Sequence, residues 1–240
     1  MKIDVISPIL APAEGHDWRE GFRRRDCAAV PAEFRFFYID DGPRFIQNAY
    51  DDAHAAPALL RRVQRCAAEG AEAIVINCSA DTALRACREA VRIPVIGPSE
   101  CTMLYAPQLV DRFAVLTFAS RINSRFTRIA HELGLSHCLA NVISVETGFD
   151  ALSGGSDAVA QSLYDAIVSE RERSGCEGFI LGCTDFEDVA PQLSALLEKN
   201  NVPAVILKPF EISAWTAYIT VQMKLVQGSG SYPAPLFPLE

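Results

Sequence analysis

The stretch "AIVINCSADTALRACREA", residues 73–90, decides the fold class, because a short apolar run in it stops at Cys78 and a helical pattern follows. The run from Ala73 to Asn77 has the length and the β-branched content of a buried strand. From Asp81 to Ala90 the apolar residues recur with helical spacing, which predicts a helix. Cys78 therefore lies where a buried strand gives way to a helix, the edge at which open α/β sheets bind ligands.

The stretch "GFILGCTDFEDVAPQL", residues 178–193, repeats this pattern around Cys183. After each cysteine come a hydroxyl residue (Ser79 or Thr184), an aspartate, a helical pattern and a strand that begins with proline. The distance from the cysteine to that proline is 16 residues in the first copy (94 − 78) and 20 in the second (203 − 183). A repeat with a period of about a hundred residues predicts two similar domains rather than a solenoid.

Strand and helix patterns alternate along the whole chain, which is typical of parallel α/β sheets. The predicted strands are 3–8, 34–39, 73–77, 93–97, 112–118, 141–146, 178–182 and 203–207. The predicted helices are 48–69, 81–90, 120–133, 156–174, 185–199 and 210–226. We expect two pseudo-symmetric α/β domains, each a parallel four-stranded sheet flanked by helices. Residues 1–97 plus 209–240 form the first and residues 98–208 the second, with the active site in the cleft between them.

The composition excludes several classes of protein. Half of the 240 residues are hydrophobic, which is enough for a large core, and the formal net charge is −8. Because binding to nucleic acid needs concentrated Lys and Arg, the acidic balance argues against such a partner. The chain contains no apolar run of about 18 residues that could span a membrane, and its N-terminus has the pattern of a first strand rather than a signal peptide. We therefore expect a cytoplasmic protein.

The chain has eight cysteines, and no two of them have CxxC spacing. No histidine lies in zinc-ligand register with a pair of them, so neither a structural zinc site nor, without a secretory signal, a disulfide framework is predicted. Most of the thiols are expected to be small buried hydrophobes. Cys87 illustrates this, since it shares the apolar stripe of one helix with Leu84 and Val91.

The two repeated cysteines differ from the others because each follows the carboxyl end of a strand. A thiol at the start of a helix lies near exposed N–H groups, which are expected to lower its pKa. If the two edges face each other, Cys78 and Cys183 approach one cleft from opposite sides, so that one removes a proton and the other returns one. This is racemisation or epimerisation at a carbon next to a carbonyl. Ser79 and Thr184 are placed to hold the enolate oxygen.

Other polar residues near the strand ends are further candidates. Ser7 ends the first strand and Thr117 ends its counterpart in the second half; each either contacts substrate or only satisfies a loop. Asp81 and Asp185 are expected to cap the helices that follow the cysteines. The stretch "GPSECT", residues 97–102, is interpreted as a turn. No lysine stands in either cysteine motif for a Schiff base, and there is no GxGxxG loop, so no cofactor is predicted.

Several of these motifs together resemble the aspartate/glutamate racemase superfamily, and most of all its hydantoin racemase branch. "NCSADTAL" (77–84) and "GCTD" (182–185) are similar to the two cysteine motifs of the superfamily. "GPRFIQNAYDDAHAAPALL" (42–60) and "PVIGPSECTMLYA" (94–106) are similar to stretches of the hydantoin branch. The resemblance implies a cofactor-independent racemase of two α/β domains with a pair of cysteine bases.

The chain departs from the hydantoin branch at two places. The first strand reads "VISPIL" (5–10), so that Ser7 stands where the branch has an amide side chain. After the second cysteine the chain has "TDF" (184–186), nearer to the Cys-Thr-Glu of amino-acid racemases. The predicted substrate is therefore a hydantoin or an amino-acid-like carbon acid.

Three functions are in competition. The first is the racemase; the second is a decarboxylase or cis–trans isomerase of the same superfamily, whose members need only one cysteine. The third is a catalytically silent protein that binds a small molecule. The resemblance also implies a homo-oligomer, and the expected partner is a small-molecule substrate, with neither nucleic acid nor membrane.

Overall fold

The structure, a computed structural model, describes residues 1–12, 18–147 and 156–237. The chain forms two compact units, residues 1–98 with 210–240 and residues 99–209. Among the described residues, no helix combines the length and apolar character needed to cross a lipid bilayer.

The first unit contains a four-stranded parallel sheet with the strand order β2-β1-β3-β4. Its elements in chain order are β1 (Lys2–Leu10), α1 (Trp18–Asp26), β2 (Glu33–Ile39), α2 (Ala49–Ala68), β3 (Ala73–Ile76), α3 (Leu84–Ala90) and β4 (Val95–Ile96). The helix α8 (Pro209–Gln222) returns to this unit after the second unit is complete.

The second unit repeats the topology, with the strand order β6-β5-β7-β8 and all pairs parallel. Its elements are α4 (Pro98–Tyr105), β5 (Phe113–Thr117), α5 (Asn123–Glu132), β6 (Leu139–Ser144), α6 (Asp157–Ser174), β7 (Gly178–Leu181), α7 (Ala190–Lys199) and β8 (Val205–Leu207). The described residues of this unit also form three short 3-10 helices, 106–108, 120–122 and 184–189. The predicted fold class, two parallel four-stranded α/β sheets, is confirmed.

The central strands form the core of each unit. All residues of β3, β5 and β7 are buried, as are residues 3–8 of β1. Strands buried on both faces read as continuous apolar runs, and this is why the sequence pattern located them. The strands β2, β6 and β8 lie at sheet edges and are mostly half-buried.

Local capping explains where the longer helices begin and end. The Asn48 side chain accepts hydrogen bonds from the N–H groups of Tyr50 and Asp51 at 2.9 and 3.0 Å, which starts α2. Gly175 has a φ of 67° and donates its N–H to Arg171, so that α6 ends there as predicted. Ser156 holds the N-cap position of α6, but its side chain makes no capping hydrogen bond.

Three predictions about local structure are wrong. The stretch "GPSECT" is not a turn, because α4 begins at Pro98, where proline at the first helical position suits the helix. Asp81 does not cap α3, since the N-cap residue is Ala83 and the helix begins only at Leu84. Asp185 does not cap a helix either; it lies inside the 3-10 helix that Cys183 precedes.

Candidate active site

Both cysteines lie at the carboxyl edge of their own sheet, at equivalent positions. β3 pairs with the central strand β1 up to Ile76, and β7 pairs with the central strand β5 up to Leu181. In each unit one residue separates the last paired residue from the cysteine, and its N–H donates to the central strand: Asn77 to Ile6 at 2.8 Å and Gly182 to Leu116 at 2.7 Å. The repeat in the sequence therefore corresponds to a repeat in the backbone hydrogen bonds between the strands.

The loop after Cys78 is tightly turned. The Cys78 N–H donates to the Ile76 carbonyl at 2.8 Å, and the Cys78 carbonyl accepts from the Asp81 N–H at 2.9 Å. Asp81 and Ala83 have left-handed φ angles of 51° and 45°. Such conformations in residues other than glycine cost about 1–3 kcal/mol each and cluster at functional sites. The surrounding fold thus holds a strained loop that presents this thiol.

The Cys78 thiol is half-buried and holds its proton. Burial raises its pKa to about 11, while the Thr82 hydroxyl and the Ala80 amide, which donate to the sulfur, lower it. The carboxylates of Asp52 and Asp81 raise it further. The expectation that a helix start lowers this pKa is wrong, because the helix begins only at Leu84 and burial outweighs the two donors.

The chain around Cys183 differs from that around Cys78. Cys183 is extended, with φ −142° and ψ 130°, and directly precedes the 3-10 helix 184–189. Its carbonyl accepts from the Phe186 N–H at 3.0 Å, and the Phe186 ring is fully buried, which anchors the turn. Cys183 and the adjacent Thr184 are half-buried. This cysteine therefore does stand at a helix start, as the sequence predicted for both.

Ser7 and Asn77 lie side by side at the edge of the first sheet. Both are buried, and the Asn77 Nδ2 donates to the Ser7 Oγ at 3.0 Å. Ser79, which follows Cys78, is also buried. Asn77 is not among the predicted site residues, although a carboxamide between a buried strand and a cysteine is a visible signal in the sequence. The structure thus brings Ser7, Asn77, Cys78 and Ser79 to one sheet edge.

Thr117 is buried at the end of β5, the place that Ser7 occupies in β1. Its hydroxyl donates to the Asn123 Oδ1 at 2.6 Å, and the Asn123 Nδ2 donates to the Val142 carbonyl at 3.3 Å. The Thr117 hydroxyl therefore donates its proton to a residue of its own unit. This contact favours the second of the two predicted roles, a strand-end hydroxyl that orders the following loop.

Glu146 is a further polar group at the edge of the second sheet that the sequence analysis missed. It has a left-handed φ of 46°, and its carboxylate accepts from the Ser144 hydroxyl at 2.7 Å and from the Ser120 N–H at 2.9 Å. The hydrogen bond from Ser144, followed by those from Ser120, lowers the pKa of Glu146. A negative charge consequently stands at the carboxyl edge of this sheet.

Cys27, Cys87, Asp4 and Glu170, away from the two cysteine motifs, have structural surroundings. Burial raises the pKa of Cys87 to about 12 and that of Cys27 to about 11. Asp4 forms two hydrogen bonds of 2.7 Å with Arg35, and Glu170 is bonded by Asn141, Arg173 and Ser174. In the part of the chain that the structure describes, no group of three or more His, Cys, Asp or Glu side chains is arranged to hold a metal ion.

Comparison with known proteins finds a matching family model and similar relatives. The family model described as Asp/Glu/Hydantoin racemase matches residues 24–217. A hydantoin racemase from Pseudomonas sp. (strain NS671) is 27% identical over 209 residues, which are 86% of this chain and 82% of that protein.

Two solved structures are similar in fold. Allantoin racemase from Klebsiella pneumoniae has a TM-score of 0.86 at 22% identity and covers 98% of this chain and 94% of its own. Allantoin racemase from Pseudomonas fluorescens has a TM-score of 0.85 at 17% identity and covers 99% and 98%. At these identities the likeness concerns the fold alone.

Proposed function

The chain belongs to the Asp/Glu/hydantoin racemase family and is an isomerase of the racemase type, and we propose that it inverts the α-carbon of a hydantoin-type ring by a two-cysteine mechanism. Cys78 and Cys183 are the two acid/base groups, and no cofactor takes part. The observation that carries the proposal is the repeat of strand, cysteine and hydroxyl residue at the carboxyl edge of both sheets. An amino-acid-like carbon acid is the alternative substrate.

The proposed reaction moves one proton off the carbon and another one on. One cysteine, as thiolate, takes the proton of the carbon next to the carbonyl, and an S–H bond forms. The C–H electron pair becomes the C=C bond of the enolate, while the π pair of the carbonyl moves onto its oxygen. The other cysteine, as thiol, then gives its proton to the opposite face of the planar enolate. The enzyme ends with the thiol and the thiolate exchanged. Neither step needs an oxidant, a reductant or a metal ion.

The surroundings of Cys78 suit the role of proton donor in the first turnover. Because burial holds its pKa near 11, this cysteine carries a proton at neutral pH. The donors that face the sulfur, the Thr82 hydroxyl and the Ala80 amide, then stabilise the thiolate that is left when the proton is given away. Cys183 is assigned the role of the base in that direction.

The oxygen of the enolate needs hydrogen-bond donors where its negative charge develops. We assign this role to the residues that follow the cysteines, Ser79 and Thr184, together with the backbone amides beside them. Ser7 is assigned to substrate binding at the first sheet edge. Thr117, whose hydroxyl proton is donated to Asn123, is instead assigned to ordering the loop that follows β5.

A hydantoin is favoured as the substrate on two grounds. Curated relatives at 26–27% identity are hydantoin racemases. The ring is also uncharged and carries its reacting carbon between a carbonyl and an amide nitrogen, so that hydroxyl and amide donors suffice to hold it. An amino-acid zwitterion would require separate groups for its ammonium and its carboxylate.

The test is deuterium exchange coupled to loss of optical activity. Single enantiomers of 5-benzylhydantoin, 5-isobutylhydantoin, allantoin, aspartate and glutamate are incubated in deuterated water with the protein. Inversion is followed by chiral chromatography and deuterium at the α-carbon by NMR. Because hydantoins racemise slowly without enzyme, the matched control is the double variant Cys78→Ser/Cys183→Ser.

We expect at least one hydantoin to invert with one solvent deuterium per inversion, and the double variant to match the rate without enzyme. Retention of configuration across the whole panel would contradict the proposal. Release of carbon dioxide from a disubstituted malonate, with no inversion, would instead indicate the decarboxylase.

A further inference from the structure

After α8 the chain continues into a segment that packs against α3, the helix that follows the Cys78 loop. This segment, residues 227–232, is called the C-terminal strap here. The carbonyls of Ser231 and Tyr232 accept hydrogen bonds from Arg85 at 3.0 Å and from Arg92 at 2.9 Å. Both arginines extend from α3 or its end, so the strap is bound to the element that follows the Cys78 loop.

The Tyr232 ring is the centre of these contacts. The guanidinium carbons of Arg85 and Arg88 lie 5.3 and 5.6 Å from its centroid, within the range of a cation–π interaction. The Tyr232 hydroxyl accepts from Arg88 at 3.3 Å. Arg85 and Arg88 are three residues apart and share one side of α3, while Arg92 lies two residues beyond the end of the helix. The Tyr232 ring thus contacts both of these arginines of α3.

Arg88 connects the strap to the sheet. It is buried, and its Nε donates to the Val95 carbonyl of β4 at 3.0 Å. Gln227, at the other end of the strap, reaches the same carbonyl at 3.5 Å. A buried guanidinium is costly unless it is paired, so this arginine fixes the distance between α3, β4 and Tyr232. Arg88 therefore connects the C-terminal strap, α3 and β4.

The Cys78 loop is in turn attached to the start of α3. The Leu84 N–H donates to the Asp81 carbonyl at 3.2 Å, and the Asp81 N–H donates to the Cys78 carbonyl at 2.9 Å. Thr82, between these residues, donates to the Cys78 sulfur at 3.5 Å. Gly97, just after β4, lies so close to Asp81 and Leu84 that a methyl group there would be 2.8 and 2.4 Å from their side chains. A movement of α3 would therefore move the donor to the thiol.

We propose that Tyr232 is a positioning residue, which clamps α3 and thereby holds the strained loop that presents Cys78. Asp81 and Ala83 keep their left-handed conformations only because both ends of the loop are fixed. One end continues β3 and the other begins α3. The strap secures the second end.

The test measures the reactivity of Cys78 by alkylation with iodoacetamide between pH 7 and 11, read for each cysteine by peptide mass spectrometry. The full-length protein is compared with Tyr232→Ala, with Tyr232→Phe and with Leu236→Ala. Leu236 lies beyond the strap and is 88% exposed, so it controls for a change in the tail. Cys183 is the internal reference in every sample.

We expect Tyr232→Ala to let water reach the Cys78 loop. Because burial is the main cause of the raised pKa, the alkylation midpoint then falls by at least half a pH unit and the rate at pH 8.5 rises at least threefold. Tyr232→Phe keeps the ring against the arginines and stays within twofold of the unaltered protein. An unchanged Cys78 profile in Tyr232→Ala, or an equal shift in Leu236→Ala or at Cys183, would overturn the proposal.

A second measurement guards against an effect of the single substitution on folding. The chain that ends at Val226 is assayed with and without a synthetic peptide of residues 227–240, and with the same peptide carrying alanine in place of Tyr232. We expect the first peptide to restore the slow alkylation of Cys78 and the second not to. Equal effects of the two peptides would contradict the role of Tyr232.

The proposal rests on the proposed function only for the effect that Tyr232→Ala has on turnover. With a hydantoin as substrate, Tyr232→Ala should lower kcat at least tenfold and leave KM within twofold, since the binding residues are unaltered. If no substrate is inverted by the unaltered protein, the proposed function fails, while the alkylation profiles still decide the role of Tyr232.

Discussion

Cys78 and Cys183 occupy equivalent places in two sheets, yet their surroundings are different. Cys78 is followed by a strained loop and receives a hydroxyl donor, Thr82, whereas Cys183 passes directly into a 3-10 helix. The sequence could place both cysteines at strand ends, because that depends only on hydrophobic periodicity. It could not give the direction of the Cys78 pKa, which depends on how the loop folds around the sulfur.

The first prediction concerns the two candidate bases. Cys78→Ser and Cys183→Ser should each lower the rate of inversion about a thousandfold, since a hydroxyl is far too weak an acid to replace a thiol. Chiral chromatography of a hydantoin that the unaltered protein inverts measures this. The control is Cys138→Ser, a buried cysteine of the second unit outside the motifs. An active single variant at either position would contradict the two-base mechanism.

The second prediction concerns the donor to Cys78. Thr82→Val keeps the size of this fully buried side chain but removes its hydroxyl. The pKa of Cys78 should rise by about half to one unit, because the lost hydrogen bond, worth about 1 kcal/mol, stabilised the thiolate. The alkylation profile of Cys78 measures the shift. Thr82→Ser retains the hydroxyl, so its alkylation profile at Cys78 should match that of the unaltered protein. A Thr82→Ser profile equal to the Thr82→Val profile would contradict the role of the hydroxyl.

At the scale of elements, the success of the sequence analysis depended on burial. The strands that cross the core were all located, because a strand buried on both faces is a continuous apolar run. The helix α1 (Trp18–Asp26) was missed, since it is short and very polar and has few apolar residues to mark a buried face. The predicted start of α3 was early, because Asp81 and Ala83 adopt left-handed angles that sequence patterns rarely reveal in residues other than glycine.

The third prediction concerns the packing of β7 against β5. Gly182→Ala would place a methyl group 2.7 Å from the Leu116 carbonyl oxygen and 2.8 Å from the Val115 side chain. Because a backbone atom cannot move aside cheaply, the substitution should destabilise the protein by about 1–3 kcal/mol. It should also change the alkylation rate of the adjacent Cys183 relative to Cys78. Urea denaturation and peptide mass spectrometry measure the two effects.

The matched control for this substitution is Gly21→Ala. Gly21 lies in α1, and no described atom lies within 4 Å of the position of its added methyl group. Replacing glycine by alanine inside a helix should leave stability equal or raise it by up to about 1 kcal/mol. Equal stability losses in the two variants would show that close packing at Gly182 is not the cause.

At the scale of the whole molecule, buried thiols link stability to alkaline pH. Cys87 is fully buried, and its pKa is raised from an ordinary value of 9.0 to about 12. Between these values the folded protein keeps a proton that the unfolded chain has lost. Stability should therefore fall as the pH rises above 9, by about 1.4 kcal/mol per pH unit for this one thiol.

The fourth prediction isolates that contribution. Cys87→Ala removes the thiol, so the slope of unfolding free energy against pH should become shallower by about 1.4 kcal/mol per unit between pH 9 and 10.5. The cavity should also lower stability at pH 8, but that loss does not change the slope. Urea denaturation at several pH values measures both quantities. Parallel curves for the two proteins would contradict the linkage.

The discontinuity of the first unit has a consequence for how the protein matures during synthesis. The second unit is one uninterrupted segment, 99–209, whereas the first needs residues from 210 onward, including the buried Phe210, Ala214 and Ala217. A ribosome makes these residues only after the whole of the second unit. Although domains usually mature in order from the N-terminus, here the second unit is completed first. The unit that carries Cys78 is therefore completed only after the second unit has been synthesised.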